Sequence, residues 1–220
     1  MRRRLPFPIL YEDGDVIVID KPAGLLTTHT ALRGRAAREA QATAENMLTD
    51  YVRKGQAKSR LRVWLVHRLD RDTSGVMMFA KGEEVAERFR ADWNGLTEKR
   101  YAALVEGALN GEGAFESWLK EDADGYRVRT VPAGTPGAKN ARTEWRALGR
   151  RGANTLVEAV LKSGRKNQIR VHFSEAGHPV VGDAKYGARP AKRLFLHSAS
   201  LAFVHPRTGE RLEFSSPAPF

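Results

Sequence analysis

A short run of residues able to do nucleophilic or acid–base chemistry sits beside an apolar stretch. Trp64 to Gly75 reads WLVHRLDRDTSG, and Val76 to Ala80 (VMMFA) follows it. Apolar strands entering and leaving so polar a segment give it only a loop or a cleft wall to occupy. Within it Asp70 stands close to Arg68 and Arg71. Cations at that range favour the carboxylate over the acid and lower its pKa. An ionised carboxylate suits a nucleophile or an electrostatic stabiliser, whereas a general acid needs a raised pKa. The same residues also fit a loop aspartate that caps the turn Asp72-Thr73-Ser74-Gly75 and bridges to an arginine, and composition alone does not separate the two readings.

The elements that must hold this loop are legible on either side. Ile9 to Asp20 reads as a turn feeding a strand, with consecutive β-formers from Val16 to Ile19, and Lys21-Pro22-Ala23-Gly24-Leu25 ends that strand in a rigid turn. Helical spacing over Ala42 to Arg53 and Glu83 to Trp93 predicts two helices; Val85, Phe89 and Trp93 form the stripe of the second. Glu98 to Val105, Phe115 to Leu119, Tyr126 to Val131, Ala141 to Leu148 and Thr155 to Leu161 are β-type runs in succession, which predicts an antiparallel meander rather than alternating βα units. In Leu161 to Gly182 a short helix is expected, N-capped by Asn167, with Ile169, Phe173 and Ala176 on its apolar stripe and Gly177 at its end. Arg170 points away from that stripe.

The chain has 220 residues, 41% of them apolar, which allows a substantial core. Its 37 basic and 26 acidic residues leave a net charge of +11, which favours a polyanionic partner. Arg33, Arg35, Arg38, Arg53, Lys54, Lys58 and Arg60 concentrate that charge and are candidates for phosphate contacts. No apolar run approaches the roughly 20 residues of a spanning helix, and the apolar piece Leu5–Leu10 is broken by prolines and too short for a secretory core. The absence of cysteine excludes disulfides, thiolate metal sites and a cysteine nucleophile, and is compatible with a reducing cytosol. His172, His178 and Asp183 could be written as a metal set, but they lack the spacing of a metallohydrolase helix, so no metal is expected. Neither phosphate-binding glycine motif of the nucleotide-binding folds is present.

Four motifs, in order, resemble the RluA-type pseudouridine synthases. The family's HRLDxxTSG is matched by His67 to Gly75, preceded by a KPxG turn at Lys21 to Gly24; its K-x-Y-x-A strand is matched at Lys99 to Ala103; its GRxHQ(I/L)RVH and GxPxxGDxxYG are matched at Gly164 to His172 and Gly177 to Gly187; its closing RLxLHA and xFxHP pieces are matched from Arg193 to Pro206. Lys139 to Trp145 is similar to a further family strand. At Asn167 the pattern usually has histidine. Asparagine does not titrate, so a hydrogen bond or an N-cap is what that position can supply.

The resemblance implies an α+β fold: a mixed, largely antiparallel sheet with flanking helices and a basic catalytic cleft, in a single catalytic domain over residues 1–220 without a separate N-terminal RNA-binding domain. It implies isomerisation of uridine in RNA, rRNA and/or tRNA, with no cofactor. Asp70 would be the catalytic residue, acting at C1′ or on a 2′ proton; Arg170 would pair with it, and Tyr101 would stack on the uracil. Arg68, Arg71, Lys21, Arg165 and Asn167 would contact substrate RNA. A cytoplasmic monomer is expected, without membrane association. The alternatives are an inactive RNA-binding or ribosome-assembly factor on the same fold, and a hydrolase using Asp70 with Asp183 as second carboxylate.

Overall fold

The computed structural model describes residues 5–29, 41–56 and 58–220; Arg33, Arg35 and Arg38 of the basic segment lie outside them. In chain order the elements are β1 (Ile9–Glu12), β2 (Val16–Lys21), α1 (Ala44–Val52), β3 (Trp64–Leu65), β4 (Ser74–Ala80), α2 (Glu83–Ala91), α3 (Trp93–Leu96), β5 (Thr97–Glu106), β6 (Glu112–Glu121), β7 (Val128–Val131), β8 (Lys139–Arg151), β9 (Asn154–Leu161), α4 (Gln168–Glu175), a 3-10 turn (Ala184–Tyr186), β10 (Leu196–Val204) and β11 (Arg211–Ser215). This is an α+β chain of mostly antiparallel strands and few helices. It divides into two compact units, Met1–Thr97 with Ser200–Pro217, and Glu98–Ala199 with Ala218–Phe220.

In the first unit the strand order is β1-β2-β4-β10, with β3 on β4 and β11 on β10. β2 and β4 pair antiparallel from Val16↔Ala80 to Lys21↔Gly75. Their unbroken apolar runs have a structural cause, because both faces are covered. Val16, Val18, Val76, Met78 and Ala80 join Val85, Ala86, Phe89, Leu201 and Phe203 in one core. Ile17, Ile19, Met77 and Phe79 of the same strands are equally inaccessible. Helix α1 starts at Thr43, whose side chain accepts the Asn46 N–H at 3.1 Å. The expected single helix over Glu83 to Trp93 is instead two. Asp92 leaves the helical region (φ −143, ψ 56) and its carboxylate caps a new turn by accepting the Gly95 N–H at 3.0 Å.

In the second unit the order is β5-β9-β8-β6-β7. Helix α4 packs on one face: its Val171 meets Leu119, Val128 and Ala141, and its Phe173 meets Phe115 and Trp145 edge-on. The opposite face is solvated and laced with cross-strand ion pairs such as Arg142–Glu116, Lys162–Glu144 and Arg146–Glu158. Each such exposed pair contributes about 1 kcal/mol or less, so apolar burial under α4 carries this unit.

One polar network fastens α4 to the sheet. The His172 ring lies between the hydroxyls of Thr143 (Nδ1, 2.9 Å) and Ser117 (Nε2, 3.0 Å). Gln168, one turn earlier, reaches the same Thr143 hydroxyl at 2.9 Å and the Arg142 carbonyl at 3.0 Å, and accepts from Ser163 at 2.8 Å. Burial pushes His172 down to about 4. The unfolded chain therefore takes up this proton near the ordinary value of about 6.5 while the folded chain does not until much lower. Stability contributed by neutral His172 is complete above that ordinary value and is lost as pH falls towards 4. Denaturant titrations across this window are expected to show a decline of about 2–3 kcal/mol from this group, with a shallower slope in His172→Gln, which hydrogen-bonds without titrating. An unchanged slope would remove His172 as its source.

Candidate active site

Asp70 lies half-buried in the loop between β3 and β4, and its backbone is fastened on both sides. On one side the Thr27 hydroxyl donates to the Leu69 carbonyl at 2.8 Å and accepts the Leu69 N–H at 3.3 Å. On the other, the Arg71 carbonyl accepts from the Lys21 ammonium at 3.0 Å and from the Gly24 N–H at 2.8 Å. The turn closes with the Thr73 N–H on the Asp70 carbonyl at 3.2 Å. His67 begins the loop: its Nε2 accepts the Met78 N–H at 3.0 Å while its ring stacks on Trp93 at 4.6 Å.

Lys21 is the centre of this arrangement. It is wholly buried, and its ammonium also donates to the carbonyls of Pro22 at 2.9 Å and Leu25 at 2.8 Å. Gly24, at φ +85, supplies the backbone conformation that turns Leu25 back towards the same ammonium. The expected RNA contact at Lys21 is thus corrected: a side chain with no exposed surface holds the loop instead. The Arg71 guanidinium pairs with Asp72 at 3.0 Å, which raises the arginine's own pKa. Arg68 is exposed on the loop.

In the second unit, Arg170 of α4 forks onto Asp183, Nε to Oδ2 at 2.6 Å and Nη2 to Oδ1 at 2.7 Å, and its guanidinium lies 5.1 Å from the centre of the Tyr186 ring. Asp183 is fully buried at its side chain. It follows Gly182, where an added Cβ would lie 2.0 Å from the Arg193 carbonyl, so only glycine lets the chain pass so close and deliver the carboxylate. Arg165 is half-buried and its Nε donates to the Asn140 carbonyl at 2.9 Å.

Asn167 precedes α4, but not as the expected side-chain cap. Its backbone is left-handed (φ 54, ψ 19) and no cap hydrogen bond forms. Its Oδ1 instead accepts from the Lys185 ammonium at 3.0 Å and the Tyr186 hydroxyl at 3.1 Å. Asparagine and histidine are both among the side-chain-bearing residues that tolerate this conformation best, which gives their interchange at this position a backbone cause.

Tyr101 is buried on β5, two residues from Lys99 and on the same face. Lys99 heads the matched K-x-Y-x-A strand but motif reading gives it no site role there, although a lysine in phase with Tyr101, Ala103 and Val105 on an alternating strand is a visible anomaly. Burial pushes it down to about 8. His178 gives Nδ1 to the Glu106 carbonyl at 2.8 Å, so the three residues of the conceivable metal set each have other partners; among the described residues no acid–histidine cluster could hold a metal ion. No described helix is long and apolar enough to cross a membrane.

Residues 15–175 match the model of the RNA pseudouridylate synthase family. Two Bacillus subtilis (strain 168) proteins described as uncharacterized RNA pseudouridine synthases, YlyB and YjbO, are 35% and 36% identical over 96% and 98% of this chain, which covers 69% and 74% of theirs. Ribosomal large subunit pseudouridine synthase D of Nitrosomonas europaea is 35% identical over 98% of the chain and 63% of its own length. The structure of human RNA pseudouridylate synthase domain containing 4 shares the fold (TM-score 0.73, 23% identity, 96% of this chain and 88% of that one), and human domain containing 1 does so at 26% identity (TM-score 0.71, 97% and 84%). The chain belongs to the RNA pseudouridylate synthase family. Its activity is that of an RNA pseudouridine synthase, an isomerase.

Two outcomes follow from the site. Lys21→Met should strand the carbonyls of Pro22, Leu25 and Arg71 and cost about 2–4 kcal/mol, read by urea denaturation; a loss below about 1 kcal/mol would show that the ammonium does not fasten the loop. At Asn167, alanine should cost about 2–3 kcal/mol, through the left-handed backbone and the two lost hydrogen bonds together. Glycine, which keeps the backbone and loses only the bonds, should cost clearly less. Equal losses would mean that the backbone is not the constraint.

Proposed function

We propose that this chain isomerises uridine in large-subunit ribosomal RNA, with Asp70 as its catalytic residue. The observation that carries this is the family match across residues 15–175, which contains the Asp70 loop and the segment that fastens it. Relatives named ribosomal large subunit pseudouridine synthases, at 34–35% identity, support this RNA class over tRNA.

In the proposed reaction the bond from N1 to C1′ breaks, the uracil turns, and C5 bonds to C1′; the proton leaves C5 and N1 gains one. Bonds and protons balance without an oxidant, a reductant or water, so no cofactor is required. Asp70 acts on the ribose, at C1′ or on the 2′ proton, and a loop whose backbone is pinned at both neighbouring residues suits a group that must meet one atom repeatedly. Arg170 is proposed as the cation that keeps Asp70 ionised and oriented. Tyr101 is proposed to stack on the uracil, with Lys99 beside it as a cation of the same strand face. Arg68 and Arg71, both exposed, take phosphates. The base must leave its stack to react. The hydrolase alternative is disfavoured by Asp183, whose two oxygens are both held by Arg170. The inactive-factor alternative is disfavoured by the joint presence of Asp70, Tyr101 and Arg170. A cytoplasmic monomer remains the proposed state.

Asp70→Asn should abolish pseudouridine formation on RNA from a strain lacking the gene while leaving affinity within about tenfold, because binding is spread over many phosphates. Residual turnover in the variant, or release of free uracil by the wild type, would refute the assignment.

A further inference from the structure

The tip of the β6–β7 hairpin takes no part in the chemistry above, yet it presents an aromatic ring to water. Tyr126 is 62% exposed. The turn that carries it is closed by the Gly125 N–H on the Asp122 carbonyl at 2.8 Å and the Asp122 N–H on the Arg127 carbonyl at 2.9 Å. The Asp124 carboxylate accepts the Tyr126 N–H at 2.8 Å, and Lys166 clamps the Gly125 carbonyl at 2.5 Å. An aromatic on so fixed a turn has little backbone freedom left to lose on binding.

The inner side of the ring is already committed. The Lys185 ammonium lies 4.6 Å from the Tyr126 ring centre and 5.5 Å from that of Tyr186, and Tyr186 in turn carries Arg170 at 5.1 Å. Tyr126, Lys185, Tyr186 and Arg170 thus alternate aromatic and cation from solvent inward to the buried Asp183 pair. Burial of apolar surface does not account for the outer member, since most of it stays wet. Its exposed neighbour Arg127 adds a positive charge at the same tip.

We propose that Tyr126 is a stacking platform for an unpaired RNA base other than the uridine being isomerised, with Arg127 gripping an adjoining phosphate. The inference rests on RNA being the substrate. Any base presents a π-face, so such a platform adds affinity without demanding a sequence, and its loss is felt in binding rather than in chemistry.

The test compares wild type, Tyr126→Ala, Tyr126→Phe and Arg127→Ala on RNA purified from a strain lacking the gene, with KM and kcat for pseudouridine formation measured between about 50 and 200 mM salt. Tyr126→Ala should raise KM about 5–50-fold, leave kcat nearly unchanged and keep the salt dependence of the wild type. Tyr126→Phe should stay within about twofold of wild type, and Arg127→Ala should lower the salt slope by about one. A Tyr126→Ala variant within about twofold of an active wild type overturns the platform alone, as does equal loss in alanine and phenylalanine, which would assign the effect to the hydroxyl. A reduced salt slope in Tyr126→Ala overturns it in favour of a phosphate contact through Lys185. A wild type that forms no pseudouridine overturns both the platform and the RNA reading.

Discussion

A single buried ammonium sets the geometry of the Asp70 loop. Lys21 leaves β2 and finds its hydrogen-bond acceptors in the carbonyls of Pro22, Leu25 and Arg71. Placing a cation where no water reaches it is costly unless oxygens surround it. Here the requirement works in reverse: the oxygens belong to two segments far apart in sequence, and satisfying the charge obliges both to approach. Gly24 and Thr27 complete the same embrace, so one strand exit fixes the residues on both sides of Asp70.

The second unit solves a related problem with a guanidinium. Arg170 is held in its plane by Asp183 and on its face by Tyr186, which restrains rotation as well as position. Helix α4 that carries it is locked to the sheet through Gln168 and His172, and a protonated His172 could no longer accept from a hydroxyl. Placement of the Arg170 guanidinium is thereby tied to a histidine that must stay neutral.

What the sequence disclosed follows its periodicities. The doubly buried β2 and β4 were legible as unbroken apolar runs, the meander β5 to β9 as successive β-type stretches, and the Asp70 loop as polar residues trapped beside apolar strands. What it concealed depends on contacts between distant residues. Lys21 looks like a solvated lysine after a strand, and only the carbonyl of Arg71, contributed from the other loop, makes it structural. Asn167 looks like a helix cap, and only its left-handed backbone and the arrival of Lys185 and Tyr186 redirect its side chain. The break at Asp92 was invisible because Trp93 continues the apolar stripe of α2 across it.

The pin on the Asp70 loop uses the carbonyl of Arg71, while that residue's side chain projects into solvent beside Asp72. Any amino acid offers the same carbonyl. The pin is therefore indifferent to the size and charge of the side chain at position 71, and a substitution there leaves the backbone beside the aspartate fastened as before.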